Sequence, residues 1–289
     1  IRTHGDIESE AYVWQMKWTK EVSDSVSENG KHFSGISFLA SEIEFKKGLA
    51  VVKKINVDYD ALSSSGILLT PVLRINNLPA DYKSRNKFIE LIKETSASIL
   101  NEMNELMIKV EKFQIDYDCP DSKLFEYSLW LKEIKKEIAP IQLSFTALPS
   151  WLKMKSFREL ANFADSFVLQ VHSLQKPKNL NDEIKICDTE KALKWIEKAA
   201  KFGKPFKIAL PTYGRFALFD EKGLFKGFKN GCDDFSVPES WKLCEIRSSP
   251  KDLALLVLNL QSNRSKLMNG IIWFRMPVKN ENLNWQMAT

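Results

Sequence analysis

Short apolar runs alternate eight times along this chain with longer segments in which apolar residues recur every three or four positions. The short runs are apolar on both faces and separated by helical patterns, which is typical of strands in a parallel sheet. They lie at residues 11–18, 35–42, 70–76, 112–118, 141–148, 166–172, 206–213 and 269–276. Eight such strands in 289 residues predict one (β/α)8 TIM barrel, which commonly takes about 250 residues as a single domain.

Two stretches interrupt this rhythm. Residues 44–58 contain two short apolar runs, which predict a strand hairpin in place of most of the second helix. Residues 214–248 are long, aromatic and rich in turn residues, which predicts an excursion after the seventh strand. Long loops in compact domains often carry function, and this one would lie on the catalytic side of a barrel.

Composition narrows the possible partners. The net charge of +5 is spread over alternating lysines and glutamates, a pattern of solvated helix faces rather than of a nucleic-acid surface. No apolar run approaches the roughly 20 residues that span a bilayer. The chain begins at Ile1 without an initiator Met, as a cleaved leader or a trimmed terminus would leave it. We expect a monomer of one domain, residues 1–289, that needs no cofactor.

The four cysteines form no C-x-x-C metal pattern. Cys232 and Cys244 fall in the same predicted excursion, and they would be able to form a disulfide in an exported protein. Free buried thiols are the alternative, and the sequence leaves both open.

Polar and apolar side chains alternate in the fourth strand, the polar ones being Gln114, Asp116 and Asp118. The apolar set must face the helices, so the polar set faces the barrel interior. Buried carboxylates are costly unless paired or hydrogen-bonded, and two like charges raise one pKa, as a proton donor requires. We therefore predict Asp116 and Asp118 as acid–base candidates. The alternative is that Asp118 caps the next helix and Asp116 holds a structural hydrogen bond.

The same alternation in the other strands predicts further residues at the cleft. Glu42, at the end of the second strand, is the third catalytic candidate, as a base or nucleophile. The expected substrate-binding residues, besides Gln114, are Trp14, Gln15, Arg74, Thr146, Gln170, His172, Tyr213, Trp273 and Arg275. Arg74 and Arg275 are the expected counter-ions of the aspartates. The aromatic rings would stack against sugar faces, although each ring taken singly is more often a core residue.

Three stretches together resemble motifs of the chitinase-like family 18 glycoside hydrolases. Gln114-Ile-Asp-Tyr-Asp resembles their fourth-strand D-G-x-D-x-D-x-E, and Leu210-Pro-Thr-Tyr-Gly-Arg resembles their seventh-strand P-x-Y-G-R. Gly270-Ile-Ile-Trp-Phe resembles their eighth-strand G-x-x-x-W, in which the Trp forms the floor of the sugar site. Here that Trp comes one residue early.

A bacterial family known only as a domain of unknown function is more similar, over nearly the whole chain. It carries strings such as Gln-Ile-Asp-Tyr-Asp-Cys-Pro and Ala-Leu-Pro-Thr-Tyr-Gly, both present here. This resemblance implies a glycoside-hydrolase-like barrel and an extracytoplasmic location, periplasmic or secreted. It implies no particular activity.

One departure from the chitinase pattern affects the mechanism. Matching Asp116 and Asp118 to its last two aspartates puts Pro120 where the proton-donor Glu belongs. The hypotheses are then a glycoside hydrolase with rearranged acid–base groups, or a carbohydrate-binding barrel without catalysis. A third is a metal-dependent hydrolase that uses Asp116, Asp118, His172 and Glu42, although we expect no bound metal because no metal-ligand spacing such as H-x-H is present.

Overall fold

Eight parallel strands close into a barrel in the structure, a computed structural model that describes residues 1–46, 49–76, 85–172, 176–231 and 236–286. In chain order they are β1 (Glu8–Val13), β2 (Gly35–Lys46), β3 (Leu68–Ile75), β4 (Lys112–Asp116), β5 (Gln142–Ala147), β6 (Ser166–Gln170), β7 (Phe206–Pro211) and β8 (Met268–Phe274). Each strand pairs in parallel with the strands before and after it, and β8 pairs with β1. The predicted fold class is confirmed.

Helices surround the barrel in the order expected of alternating strands and helices. In the described residues they are α1 (Lys20–Asn29), α2 (Tyr59–Ser64), α3 (Arg85–Glu105), α4 (Leu124–Glu137), α5 (Ser156–Asn162), α6 (Thr189–Ala199) and α7 (Pro250–Ser262). Side chains cap several of them. Asp58 accepts from the Ala61 amide at 3.0 Å, Asp188 from Lys191 at 3.1 Å and Ser249 from Asp252 at 3.2 Å. Such caps satisfy amides that a helix leaves unpaired.

Both predicted interruptions are present. β2 continues into an antiparallel pair with Leu49–Lys54, and the helix that follows, α2, has only six residues. After β7, three antiparallel strands form a small sheet, with Gly214–Phe219 between Phe225–Asn230 and Lys242–Arg247. Cys232 lies outside the described residues, and so does its expected pairing with Cys244. None of the described helices has the length and apolar character that crossing a membrane requires.

The barrel has an outer and an inner apolar layer. Outside, Phe113 and Ile115 of β4 and the next residue after the strand, Tyr117, belong to the main core, and the Tyr117 ring stacks on Trp130 of α4 at 5.6 Å. Inside, a smaller cluster fills the lumen with Tyr12, Val72, Val168, Ala209 and Ile272. A fully buried large apolar side chain contributes about 1.5–3 kcal/mol to the stability of the fold. Packing in these two layers therefore stabilises the register of the strands beneath the site.

A polar group closes the N-terminal end of the lumen. Lys207 of β7 donates to Glu10 of β1, and Lys112 of β4 lies beside them around a gap of about 20 Å³. Burial, together with the charge of Lys207, lowers the pKa of Lys112. This group explains why the first strand begins at Glu8 rather than at the predicted residue 11. Of its three polar opening residues, Glu10 enters this ion pair, Ser9 accepts a hydrogen bond from Trp273 and Glu8 is exposed.

Candidate functional site

A cavity of about 490 Å³ lies at the C-terminal ends of the barrel strands. Its volume falls within the range of about 300–1,000 Å³ that is usual for small-molecule sites. The wall combines aromatic rings with charged side chains. The rings that line it are Tyr12, Trp14, His172, Tyr213 and Phe274.

Asp116, the last residue of β4, lies in the wall of this cavity and is 6% exposed. Its Oδ1 accepts a 2.6 Å hydrogen bond from the Thr146 hydroxyl, and its Oδ2 lies 3.7 Å from Arg74 Nε. Burial and the nearby charge of Asp118 raise its pKa to about 6, against the opposing effects of Arg74 and Thr146. Asp116 therefore changes its protonation state near neutral pH.

Asp118 lies two residues beyond the end of β4 and is open to the cavity. It accepts a 3.2 Å hydrogen bond from the Gln170 amide of β6. The surrounding protein removes water from the carboxyl group of Asp118, and this desolvation raises its pKa. The charge of Arg74 and the hydrogen bond from Gln170 act in the opposite direction. Asp118 makes this contact rather than capping the start of α4, where no side-chain cap is present.

Glu42 lies behind the cavity wall rather than in it. It is 4% exposed and accepts a 2.6 Å hydrogen bond from Asn76. The guanidinium of Arg74 lies between the two acids, with Nε 3.7 Å from a Glu42 oxygen and 3.7 Å from Asp116. Arg74 also lies over the Trp14 ring, 5.8 Å from its centroid. Glu42 therefore contacts the site through Arg74.

His172 and Tyr213 form an aromatic corner with Phe274. Nδ1 of His172 lies 3.2 Å from the Tyr213 hydroxyl, and its ring stacks on Phe274 at 5.4 Å. Burial, with the charge of Arg215, lowers the pKa of His172 to about 4. Burial raises the pKa of Tyr213 to about 12. Both side chains are neutral at pH 7.

A segment after the last strand, residues 281–284, forms one side of the cavity. Glu281 accepts a 2.7 Å hydrogen bond from Arg275 and a 3.4 Å hydrogen bond from Gln15. Arg275 is therefore paired with Glu281, not with the aspartates as expected. The sequence reasoning missed Glu281, and the signal for it is the polar string Glu281-Asn-Leu-Asn directly after the eighth strand.

Gly214 allows this segment to pack closely. A Cβ on Gly214 would lie 2.6 Å from the Leu283 carbonyl oxygen and 2.8 Å from that of Ile246. Such distances are shorter than a real contact allows, so any side chain there would displace the segment. Close packing against this segment thus explains why a glycine stands at this position of the Pro-Thr-Tyr-Gly-Arg stretch.

Three predicted binding residues do not reach the cavity wall. Gln15 and Gln114 are buried, and Gln114 lies below the cavity, where it accepts a 3.0 Å hydrogen bond from Tyr12. Trp273 faces outward, donates a 2.7 Å hydrogen bond to Ser9 and packs on Trp285. The alternation of β8 turns Ile272 and Phe274 inward, so Phe274 provides the ring expected of Trp273.

The carboxylates and His172 do not converge on a point. Within the part of the chain that the structure describes, no three His, Cys, Asp or Glu side chains form a group that could hold a metal ion. The arrangement therefore gives the metal-dependent hypothesis no support.

Comparison with protein families gives one match. The model of a family described as a domain of unknown function, DUF3142, matches residues 71–279. Among curated protein sequences, no match is found.

Solved structures with a similar fold include chitinases and a spore cortex-lytic enzyme. A chitinase from Chromobacterium violaceum has a TM-score of 0.62 and 10% identity, and the match covers 96% of this chain and 96% of that chain. The spore cortex-lytic enzyme SleL of Bacillus cereus has a TM-score of 0.60 and 10% identity, over 96% of this chain and 72% of that one. A class V chitinase from Nicotiana tobaccum in complex with NAG4 has a TM-score of 0.55 and 10% identity, over 93% and 94%. At these identities, the likeness establishes the fold alone.

Proposed function

The chain belongs to the DUF3142 family, and we propose that it binds a carbohydrate in the cavity at the C-terminal end of its barrel. The observation that carries this proposal is the combination of aromatic rings with carboxylates, amides and guanidinium groups in one cavity. Sugars present apolar faces that stack on rings, and hydroxyls that need hydrogen-bond partners at fixed positions. The chitinase-like fold, with a NAG4 complex among the similar structures, supports the same class of ligand.

Trp14 and Phe274 are the proposed stacking surfaces. The two rings lie 5.4 Å apart, and both line the cavity. Arg74, which pairs with Asp116, and Gln170, which donates to Asp118, lie in the same cavity wall as these rings. A sugar ring stacked on the aromatic rings would therefore meet polar groups at its edge. The other expected features, a single domain, a monomer and an extracytoplasmic location, are part of the same proposal.

Hydrolysis of a glycosidic bond is the second candidate, and the raised pKa of both aspartates favours it. Of the two, Asp118 is proposed as the general acid, because its carboxyl group is open to the cavity and, among the described residues, Gln170 alone donates a hydrogen bond to it. Asp116 is occupied by Thr146 and Arg74, so it is proposed to tune Asp118 rather than to contact the ligand.

The test is a glycan array followed by calorimetry and reducing-end assays on the bound glycans. Binding without turnover supports the binding barrel, and turnover abolished by Asp118→Asn with binding retained supports hydrolysis. Turnover that survives Asp118→Asn contradicts the acid assignment. Absence of any glycan binding by the folded protein contradicts the proposed function itself.

A further inference from the structure

The charged groups in the cavity are unevenly paired. Arg74 lies beside Asp116, and Arg275 is bonded to Glu281. Arg215 also lines the cavity, but no carboxylate among the described residues pairs with it. This leaves one guanidinium whose charge the described protein does not neutralise.

Arg215 lies on the strand that follows β7, next to the aromatic corner. Its guanidinium carbon is 5.7 Å from the centroid of the Tyr213 ring. Its Nε is buried and has no acceptor among the described residues, and the same holds for Nε2 of His172. Buried polar atoms nearly always have partners, and two that lack one lie beside this cavity, where a ligand can supply the acceptor.

The chemistry of the missing acceptor follows from the side chain. A guanidinium presents its N–H groups as a rigid fork that matches a carboxylate or a sulfate group. When the Tyr213 hydroxyl donates to Nδ1 of neutral His172, Nε2 carries the ring proton and is a further donor. Donors without acceptors, on and beside a guanidinium that has no carboxylate partner among the described residues, fit an anion.

We propose that this part of the cavity binds the anionic group of an acidic glycan, a uronate carboxylate or a sulfate ester, with Arg215 as the residue that determines specificity. The inference rests on the proposed function and names its substrate class. Asp118, protonated or not, offers an anion no attraction, so the anion lies at Arg215 and the hydroxyls of the sugar face Asp118.

The test uses matched pairs of glycans. An array of uronate-containing, sulfated and neutral oligosaccharides finds the ligand and distinguishes carboxylate from sulfate. Calorimetry then compares the acidic ligand with its carboxyl-reduced or desulfated counterpart. The acidic form is expected to bind at least about tenfold more tightly, the size of one charge-assisted hydrogen bond.

Variants then assign the preference to one residue. Arg215→Gln is expected to remove this preference, measured as the ratio of the affinities for the acidic and the neutral ligand, and Arg215→Lys to keep part of it. The matched control is Lys242→Gln, which removes one exposed charge from the same small sheet outside the cavity.

Equal binding of acidic and neutral forms by the wild-type protein, or a preference that survives in Arg215→Gln, overturns the inference and leaves the proposed function standing. If no glycan binds, both are overturned. Should Arg215→Gln not fold, the ratio in Arg215→Lys decides, since an unchanged ratio there contradicts a role for the guanidinium fork.

Discussion

The substitution Asp116→Asn tests the electrostatics of the candidate site without a ligand. The folded protein holds the pKa of Asp116 at about 6, whereas an ordinary aspartate has a pKa of about 3.9. The native state therefore binds this proton more tightly than the unfolded chain does. Stability from this group is greatest below about pH 4 and falls as the pH rises to about 6 and the carboxylate ionises.

The size of the effect follows from the same two pKa values. One pH unit of difference corresponds to about 1.4 kcal/mol, so ionised Asp116 lowers the free energy of unfolding by up to about 3 kcal/mol. Asparagine has no proton to lose, and its side-chain oxygen can still accept from Thr146. Arg74 keeps Glu42 at 3.7 Å, so the substitution does not leave a charge without a partner.

The assay is urea or thermal unfolding of both proteins at pH 4, 6 and 8. Asp116→Asn is expected to be more stable than the wild-type protein at pH 8, by several degrees in Tm, and equal to it near pH 4. An increment that is the same at every pH, or a loss of stability at pH 8, would refute the reasoning.

Asp165→Asn is a matched control with the opposite sign. Burial raises the pKa of Asp165, but hydrogen bonds from Lys135 and from the Leu143 amide outweigh it, and the pKa is lowered. A lowered pKa means stability that is present above the unfolded pKa and lost as the pH falls. Asp165→Asn should therefore destabilise the protein at pH 8, and the difference should shrink towards acid.

Three further predictions test the wall of the cavity. Trp14→Ala should weaken glycan binding at least about tenfold while the protein stays folded. Trp273→Ala, outside the cavity, should lower the free energy of unfolding by about 2 kcal/mol and leave the affinity for the glycan unchanged. Calorimetry measures the affinity of both variants, and urea unfolding measures their stability. Glu281→Gln removes the charge that pairs with Arg275 and weakens the hydrogen bond between them. It should increase hydrogen exchange in residues 281–284 by about ten- to a hundredfold, measured by mass spectrometry; unchanged exchange there would show that the charge of Glu281 does not hold the segment. The ring signals of His172, assigned with His172→Gln, should not titrate between pH 6 and 8 because its pKa is about 4; a midpoint above pH 6 in NMR contradicts a neutral ring.

The barrel could be predicted because its signal is repeated. Each of the eight strands has an apolar outer face, and each except the last is followed by a helix. An error in the predicted bounds of one strand therefore does not change the predicted fold class. The first strand was predicted three residues late because Glu8, Ser9 and Glu10 are polar. The pairing of Glu10 with Lys207 and the hydrogen bond from Trp273 to Ser9 account for two of these polar residues, and neither contact can be read from the local sequence.

The candidate site was predictable only where strand alternation applies. Alternation correctly turned Asp116 into the lumen, because β4 is regular up to that residue. It was wrong for the face of Trp273, because β8 is regular from Gly270 to Phe274 and turns Ile272 and Phe274 into the lumen instead. Glu281 lies beyond the last strand, where no periodic pattern relates its position to the barrel. Its pairing with Arg275 depends on a chain path that the sequence does not encode locally.

The backbone after Asp118 explains why position 120 cannot supply the proton here. The side chain of Cys119 is 2% exposed and packs into the outer core, and Pro120 faces solvent outside the cavity wall. The chain therefore turns away from the cavity immediately after Asp118, and a Glu at 120 would need a different turn to reach it. Of the carboxylates that line the cavity, Asp116 and Glu281 are each held by an arginine and a further donor. Asp118 is the one whose only hydrogen-bond donor in the described residues is an amide, which is why we propose it, and not the other two, as the general acid.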